Sequence, residues 1–299
     1  MITVLGSINM DLIASTERLP KPGETVAGSN FSTAAGGKGA NQALAARRAG
    51  SQVAMAGAVG KDTFADPALA LLDEAGVDLS SVRRTEEPTG TALILVGRTG
   101  ENMIAVVPGA NGTVGEEQAI AAVDAMRKGD ILMLQLEIPA AAVEAVLKAA
   151  RSKGILTVIN TAPLTADAAR LARLADIVIA NETEFELLTG KPVVEREARE
   201  AALRALAAET GQTLVVTLGA EGVVAIRDGR IFTAEGLAIE PVDTVGAGDT
   251  FCGYLAASLE QGLDFAAALR RAAVAGSLAC LTRGAQPSIP LAGDVAARI

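Results

Sequence analysis

An acid set directly behind two glycines marks the chemistry of this chain. Residues 243–251 read Asp-Thr-Val-Gly-Ala-Gly-Asp-Thr-Phe, and the apolar residues 252–263 that follow carry a helical pattern. A turn of small residues opening a helix leaves several backbone N–H groups without intrahelical acceptors, all pointing one way. With the positive end of the helix dipole they form a seat for an anion such as phosphate. The small side chains of Gly246, Ala247 and Gly248 let that anion approach the backbone closely. Asp249 then places a carboxylate where the anion should sit. It reads either as a helix cap or as a base beside a bound phosphate, ready to take the proton of an attacking hydroxyl.

Two better-known phosphate motifs do not fit. Residues 36–39, Gly-Gly-Lys-Gly, put Gly39 where a P-loop needs a Ser or Thr for Mg²⁺. Residues 246–251 put Phe251 where a dinucleotide fingerprint needs its third glycine, and they come late in the chain. Other polar residues follow short apolar runs, at strand ends where open α/β sheets bind ligands. Asn9 and Asp11 come after residues 3–5, and Glu137 after 131–134. Asn9 and Asp11 read equally as an Asx turn, and Lys38 equally as a solvated lysine at a helix start. Asn181 reads as an N-cap with Glu182 and Glu184 in the first turn. Residues 217–222, Thr-Leu-Gly-Ala-Glu-Gly, read as a glycine turn inside a hairpin.

Taken in order, residues 6–11, 22–25, 36–42, 135–137, 181–184, 217–219, 243–251 and 284–288 resemble the signatures of the ribokinase-like (phosphofructokinase-B type) sugar kinases. The resemblance runs over essentially the whole chain. It implies an ATP-dependent sugar kinase with Asp249 as general base and with Gly246, Ala247 and Gly248 around the transferring phosphoryl group. By the same likeness Asn9, Met10, Asp11, Gly37, Lys38, Gly39, Ala40, Asn41 and Glu137 bind the sugar together with Asp249. The nucleotide falls to Asn181, Thr217, Leu218, Gly219, Ala220, Glu221 and Gly222, with Gly248 and Asp249. Mg²⁺ falls to Glu184 through water, and K⁺ to Asp243, Val245, Ala279, Thr282, Gly284 and Ser288. Ribose phosphorylated at O5 is the favoured product chemistry. Deoxyribose, fructose, ketodeoxygluconate and nucleosides are the alternatives. A non-catalytic sugar-binding regulator on the same fold would have lost the base, and Asp249 is intact. The likeness further implies a homodimer paired through a β-sheet lid.

The bulk numbers agree with a small-molecule enzyme. At 299 residues, half of them hydrophobic, the chain can bury a large core. A net charge of −9, no Trp and a single Tyr argue against a nucleic-acid surface. The absence of His removes His-based triads, His-ligated zinc and His proton shuttles. Cys252 and Cys280 lie in apolar helical runs and read as buried thiols. No apolar run reaches the length of a membrane span, and the opening residues lack the basic segment of a signal peptide. A cytoplasmic location is the expectation.

These residues need elements to position them. Short β-branched or aliphatic runs at 3–5, 53–58, 131–134, 157–159, 177–179 and 214–217 alternate with alanine-rich helical segments at 40–49, 67–74, 116–127, 140–153, 166–174 and 195–208. That alternation predicts an α/β fold, a three-layer and mostly parallel sheet with helices on both faces. Residues 12–32 lack a helical period, and 91–107 read as two strands around a Gly turn. They predict an extra antiparallel sheet, which the family likeness makes a lid inserted at about 12–33 and 89–107 of a single domain, 1–299.

Overall fold

The computed structural model describes residues 1–299. Its first strands are β1 (Ile2–Leu5), β2 (Asn9–Thr16), β3 (Gly28–Gly36), β4 (Val53–Gly60), β5 (Asp78–Thr85), β6 (Gly90–Val96) and β7 (Asn102–Val107). Then come β8 (Ile131–Leu134), β9 (Leu156–Asn160), β10 (Ile177–Asn181), β11 (Thr213–Thr217), β12 (Val223–Arg227) and β13 (Arg230–Ala234). Nine of them form one sheet in the order β13-β12-β11-β10-β9-β8-β1-β4-β5. Every pairing from β11 through β5 is parallel, and the β12–β13 ribbon closes one edge antiparallel.

The period of two along each strand splits the core into two layers. Ile2, Val4, Ile131 and Met133 pack with the helices Lys38–Arg48, Ala65–Glu74, Ala247–Glu260 and Phe265–Ala279. Leu5, Leu132 and Leu134 face the other way, toward Glu116–Asp124, Ala140–Lys153 and Arg196–Thr210. Strands buried on both faces need no polar alternation, which is why they read as unbroken apolar runs.

Several expectations need correction. The small sheet, in the order β3-β2-β6-β7, is mixed and not antiparallel throughout, because its central pair β2 and β6 runs parallel. Parallel pairing across that distance needs a long crossover, and residues 17–89 supply it. Asn9 and Asp11 are not in a turn; they are the first residues of β2, paired with Gly36 and Ala34 of β3. The helix after the glycine turn begins at Ala247, not Cys252, so Gly248 and Asp249 belong to its first turn. Cys252 is buried, but Cys280 is only partly so, because it caps the end of the helix Phe265–Ala279; neither forms a disulfide. Strands β5 and β13 had no sequence signal. No helix is long and apolar enough to cross a membrane.

Candidate active site

Two helix starts meet at the carboxyl ends of β1 and β8. The first opens at Lys38, and two close approaches hold it against the loop after β1. A Cβ on Gly39 would lie 2.6 Å from the Ser7 amide nitrogen, and one on Gly37 would lie 2.7 Å from the Asn9 nitrogen. The protein itself satisfies the amides of this start. Lys38 N–H donates to Glu137 Oε2 (3.2 Å), Gly39 N–H to Ser7 Oγ (3.3 Å) and Ala40 N–H to the Ser7 carbonyl (2.9 Å). The Ser7 hydroxyl donates in turn to Glu137 Oε2 at 2.5 Å.

The second start, at Ala247, is open. Gly246 has φ +78°, and its missing side chain leaves room for Ala285, whose Cα would lie 2.8 Å from a Cβ there. Ala247 N–H donates to the Thr244 carbonyl and Thr250 N–H to that of Gly246. The amides of Gly248 and Asp249 are left without intrahelical acceptors. A Cβ on Gly248 would meet nothing within 4 Å, so the space over this turn is free for a ligand.

Asp249 is buried beneath that turn, 7% exposed. Both its oxygens accept hydrogen bonds from side-chain amides of the first helix: Oδ2 from Asn41 Nδ2 and Oδ1 from Gln42 Nε2, each at 3.0 Å. The Lys38 ammonium faces the same space. The Asp249 carboxylate raises its pKa above the ordinary lysine value, burial opposes this, and Glu137 and Glu184 add to the rise. Lys38 is a half-buried counter-charge lining the cleft and not a fully solvated lysine. Burial pushes the Cys252 thiol well up, reinforced by Asp249 and Glu184, so it stays protonated beside the site.

The small sheet delivers Asn9 and Asp11 to the same side. Asn9 Oδ1 accepts from Asn111 Nδ2 at 2.7 Å, and Asn111 is itself clamped to both backbone groups of Ile8. Burial pushes Asp11 up to about 6, with the Glu137 and Asp249 charges adding and Lys38 partly offsetting them. Three carboxylates around one lysine make a surface of hydrogen-bond acceptors, which suits vicinal hydroxyls. Met10 and Ala40 put their side chains into the apolar core, so only their backbone can reach a ligand.

A cleft of about 240 Å³ runs from Lys38 and Asp249 past Gly248 to Asn181, Glu184 and Thr217. Asn181 and Glu184 form a capping box: the Asn181 side chain accepts from Glu184 N–H at 2.8 Å, and the Asn181 N–H donates to Glu184 Oε2 at 3.0 Å. The helix-cap reading is therefore correct for Asn181, and both residues also line the cleft. Residues 217–222 bridge the antiparallel pair β11 and β12, with the exposed Ala220 and Glu221 at its tip. Asp243 ties two loops together, its Oδ1 accepting from Val245 N–H (3.0 Å) and its Oδ2 from Gly284 N–H (2.9 Å). Ser288 and Ala279 are buried near by in sequence, while Thr282 is exposed.

A larger basin of about 400 Å³ lies at the amino ends of β9, β10 and β11, lined by Arg151, Arg173, Asp176 and Arg227. Its charges are mostly engaged, Arg173 with Glu209, Arg227 with Asp228 and Asp176 with Thr157. Open amides and a buried carboxylate occur together only in the smaller cleft, and that is where chemistry belongs.

Sequence reasoning passed over three residues that shape the site: Gln42, Asn111 and Asn160. Each is an amide whose partner lies far along the chain, and no local pattern announces such a pair.

Comparison with known proteins agrees with this geometry. A family model described as pfkB family carbohydrate kinase matches residues 1–292. The chain is 36% identical over 290 residues to the ribokinase of Haemophilus influenzae, covering 97% of this chain and 95% of that protein. It is 33% identical over 291 residues to the deoxyribokinase of Salmonella typhi, covering 97% and 95%. Among solved structures, Arabidopsis thaliana ribokinase complexed with ribose and ATP superposes with a TM-score of 0.88 at 34% identity, covering 99% of this chain and 97% of that one.

Proposed function

This chain belongs to the pfkB family of carbohydrate kinases and is an ATP-dependent sugar kinase, and from that premise we propose that it phosphorylates D-ribose at O5 with Asp249 as general base. The observation that carries the reading is the pairing of a buried Asp249 with the open amides of Gly248 and Asp249 at one helix start. A hydroxyl presented there lies between a carboxylate that can take its proton and donors that stabilise charge on the moving phosphoryl group. Lys38 neutralises part of that charge. Asn9, Asp11 and Glu137 orient the sugar through its other hydroxyls.

The nucleotide runs along Asn181, Thr217 and residues 218–222, and its phosphates reach Gly248. Mg²⁺ suits Glu184 acting through water, since both Glu184 oxygens already accept bonds from Asn181 and Thr161. When bound, the ion neutralises phosphate oxygens. K⁺ suits carbonyls of the two loops joined by Asp243, at Asp243, Val245, Ala279, Thr282, Gly284 and Ser288. The small sheet serves as a lid. Exposed Phe31, Leu93, Met103 and Val107 share one of its faces by register, and a second copy of the chain covers them in a homodimer. The protein works in the cytoplasm.

The substrate assignment is tested by coupled ADP release over a sugar panel. Each ring hydroxyl withheld from Asn9, Asp11 or Glu137 leaves buried polar groups unpaired, a cost of about 1–3 kcal/mol. Ribose should exceed 2-deoxyribose and fructose in kcat/KM by about tenfold or more. The Salmonella typhi likeness makes 2-deoxyribose the sharpest competitor. If it, fructose or adenosine outranks ribose, the ribose assignment is wrong while the kinase remains.

A further inference from the structure

We propose that Gln42 is a positioning residue for phosphoryl transfer, the last member of a buried amide chain that fixes the rotation of the Asp249 carboxylate. This rests on the reading of Asp249 as the base. Gln42 is fully buried on the first helix and touches no cleft surface. Its Nε2 donates to Asp249 Oδ1 at 3.0 Å and to Asn160 Oδ1 at 3.3 Å, and its Oε1 accepts from Gln135 Nε2 at 2.7 Å.

The direction of that amide is forced. Asn160 donates its Nδ2 to the Ile179 carbonyl at 3.2 Å, so its oxygen must face Gln42. A flipped Gln42 would turn its own oxygen onto the Asn160 oxygen and a carboxylate, and its nitrogen onto the nitrogen of Gln135. Gln135 is free to turn to match, since its Oε1 has no partner, but the two oxygen clashes, with Asn160 and with Asp249, exclude the flip in a buried site. Two glycines reserve the space. A Cβ on Gly6 would lie 2.0 Å from Gln135 Oε1, and one on Gly253 would lie 2.6 Å from the Gln42 carbonyl. Gly253 stands one turn beyond Asp249 and brings the two helices into backbone contact, which sets the reach of Gln42 to the carboxylate.

The two Asp249 oxygens are thus unequal. Oδ1 is pinned by an amide with no freedom. Oδ2 is held by Asn41, whose own Oδ1 is buried without a partner. Asn41 can turn toward a sugar hydroxyl without breaking a chain of bonds, which makes Oδ2 the oxygen that takes the proton. Gln42 acts through Asp249 and meets neither substrate.

The test compares Gln42→Met, Gln42→Glu and Asp249→Asn, each checked for native melting and for ribose binding by calorimetry. Misaligning a base by a fraction of an ångström costs on the order of 10- to 100-fold. Gln42→Met should lower kcat by that factor with ribose KM within about threefold of wild type. Gln42→Glu replaces the donor with a carboxyl that competes for the same proton, so the acid limb of the kcat–pH profile should move up by about one unit or more. A merely structural role would lower melting temperature and leave that limb in place. Inactive Asp249→Asn beside Gln42 variants of wild-type kcat and unmoved pH limb would overturn the role of Gln42 alone. An active Asp249→Asn would remove the base and this proposal with it. If the Gln42 variants fail to fold, Gln135→Met removes the donor that holds Gln42 Oε1. It should lower kcat severalfold at constant KM, and an unchanged kcat there overturns the chain.

Discussion

Gly37-Lys38-Gly39 and Gly246-Ala247-Gly248 look alike on paper: each sets two glycines at the start of a helix that faces the same cleft. They differ in who owns the amides. At the first start Glu137 and Ser7 already accept from Lys38, Gly39 and Ala40, and a Cβ at 37 or 39 would strike backbone. At the second, Gly248 faces open space and its amide has no protein acceptor. Glycine therefore serves two purposes here. In one helix it lets the protein close on itself and build a wall; in the other it leaves the space over the first turn open.

The largest expected effect falls on the open start. Asp249→Asn keeps the shape and can still bond Asn41 and Gln42 after an amide rotation, but it cannot accept a proton. The expected loss is about 10²- to 10⁴-fold in kcat with ribose affinity far less changed. Steady-state kinetics alongside calorimetric ribose binding separates the two. A variant keeping half its turnover would mean that the acid at the open start is only a cap.

Alanine at the two starts should separate them next. Gly39→Ala drives a Cβ to 2.6 Å from backbone, and overpacking of this kind costs about 3 kcal/mol or more. Thermal melting should show a drop of several degrees or loss of folding. Gly248→Ala meets no protein atom, so its melting temperature should stay near wild type, yet its methyl group occupies the anion seat and should raise ATP KM or lower kcat. Equal melting temperatures for the two variants would erase the distinction drawn between these helices.

This difference was only partly legible in the sequence. The parallel sheet was readable because buried strands cannot afford polar alternation, and the glycine turn at 246–248 predicted a helix start with unpartnered amides, which the structure has. Edge strands β5 and β13 were not readable. Residues 78–85, Asp-Leu-Ser-Ser-Val-Arg-Arg-Thr, face solvent along an edge and carry no apolar run. Nor could the sequence show that the amides at 38–40 were already taken. Glu137, the acceptor for Lys38 N–H, lies 99 residues away, Ser7, which accepts from Gly39, lies 32 away, and Gln42 meets Asp249 across 207. Local pattern marks which residues are unusual; only the fold decides whether each is spent on the protein or left for a ligand.

A smaller effect should appear in the pH response of the wall. Asp11 is pushed up to about 6, chiefly by burial. It is ionised at pH 7.5 and takes up a proton as pH falls through 6, losing an acceptor for a sugar hydroxyl. Ribose KM should therefore rise by up to about fourfold between pH 7.5 and 5.5, the limit for one group titrating near 6. Asp11→Asn should have a higher KM at pH 7.5 and a flatter dependence below it. Wild type and variant with parallel KM–pH curves would show that the acid limb belongs elsewhere.

The smallest expected effect concerns the support beneath the open start. Asp243 holds Val245 N–H with one oxygen and Gly284 N–H with the other, and Gly246 lies against Ala285. The loop that leads into the open helix start is thus braced against the segment that follows the helix Phe265–Ala279. A monovalent cation held by carbonyls of these two segments would act on the shape of that start and touch neither substrate. Activity should rise severalfold when KCl replaces NaCl at matched ionic strength, with the change in turnover and not in the Asp11-dependent part of ribose KM. Asp243→Ala frees two amides and loosens the brace, so it should blunt the potassium response while the helix start at Lys38, tied by Glu137 and Ser7, keeps its geometry. Melting should confirm that the variant is folded. Equal activity in choline, sodium and potassium chlorides would leave the brace as a purely structural device, and the open start would owe its shape to Asp243 alone.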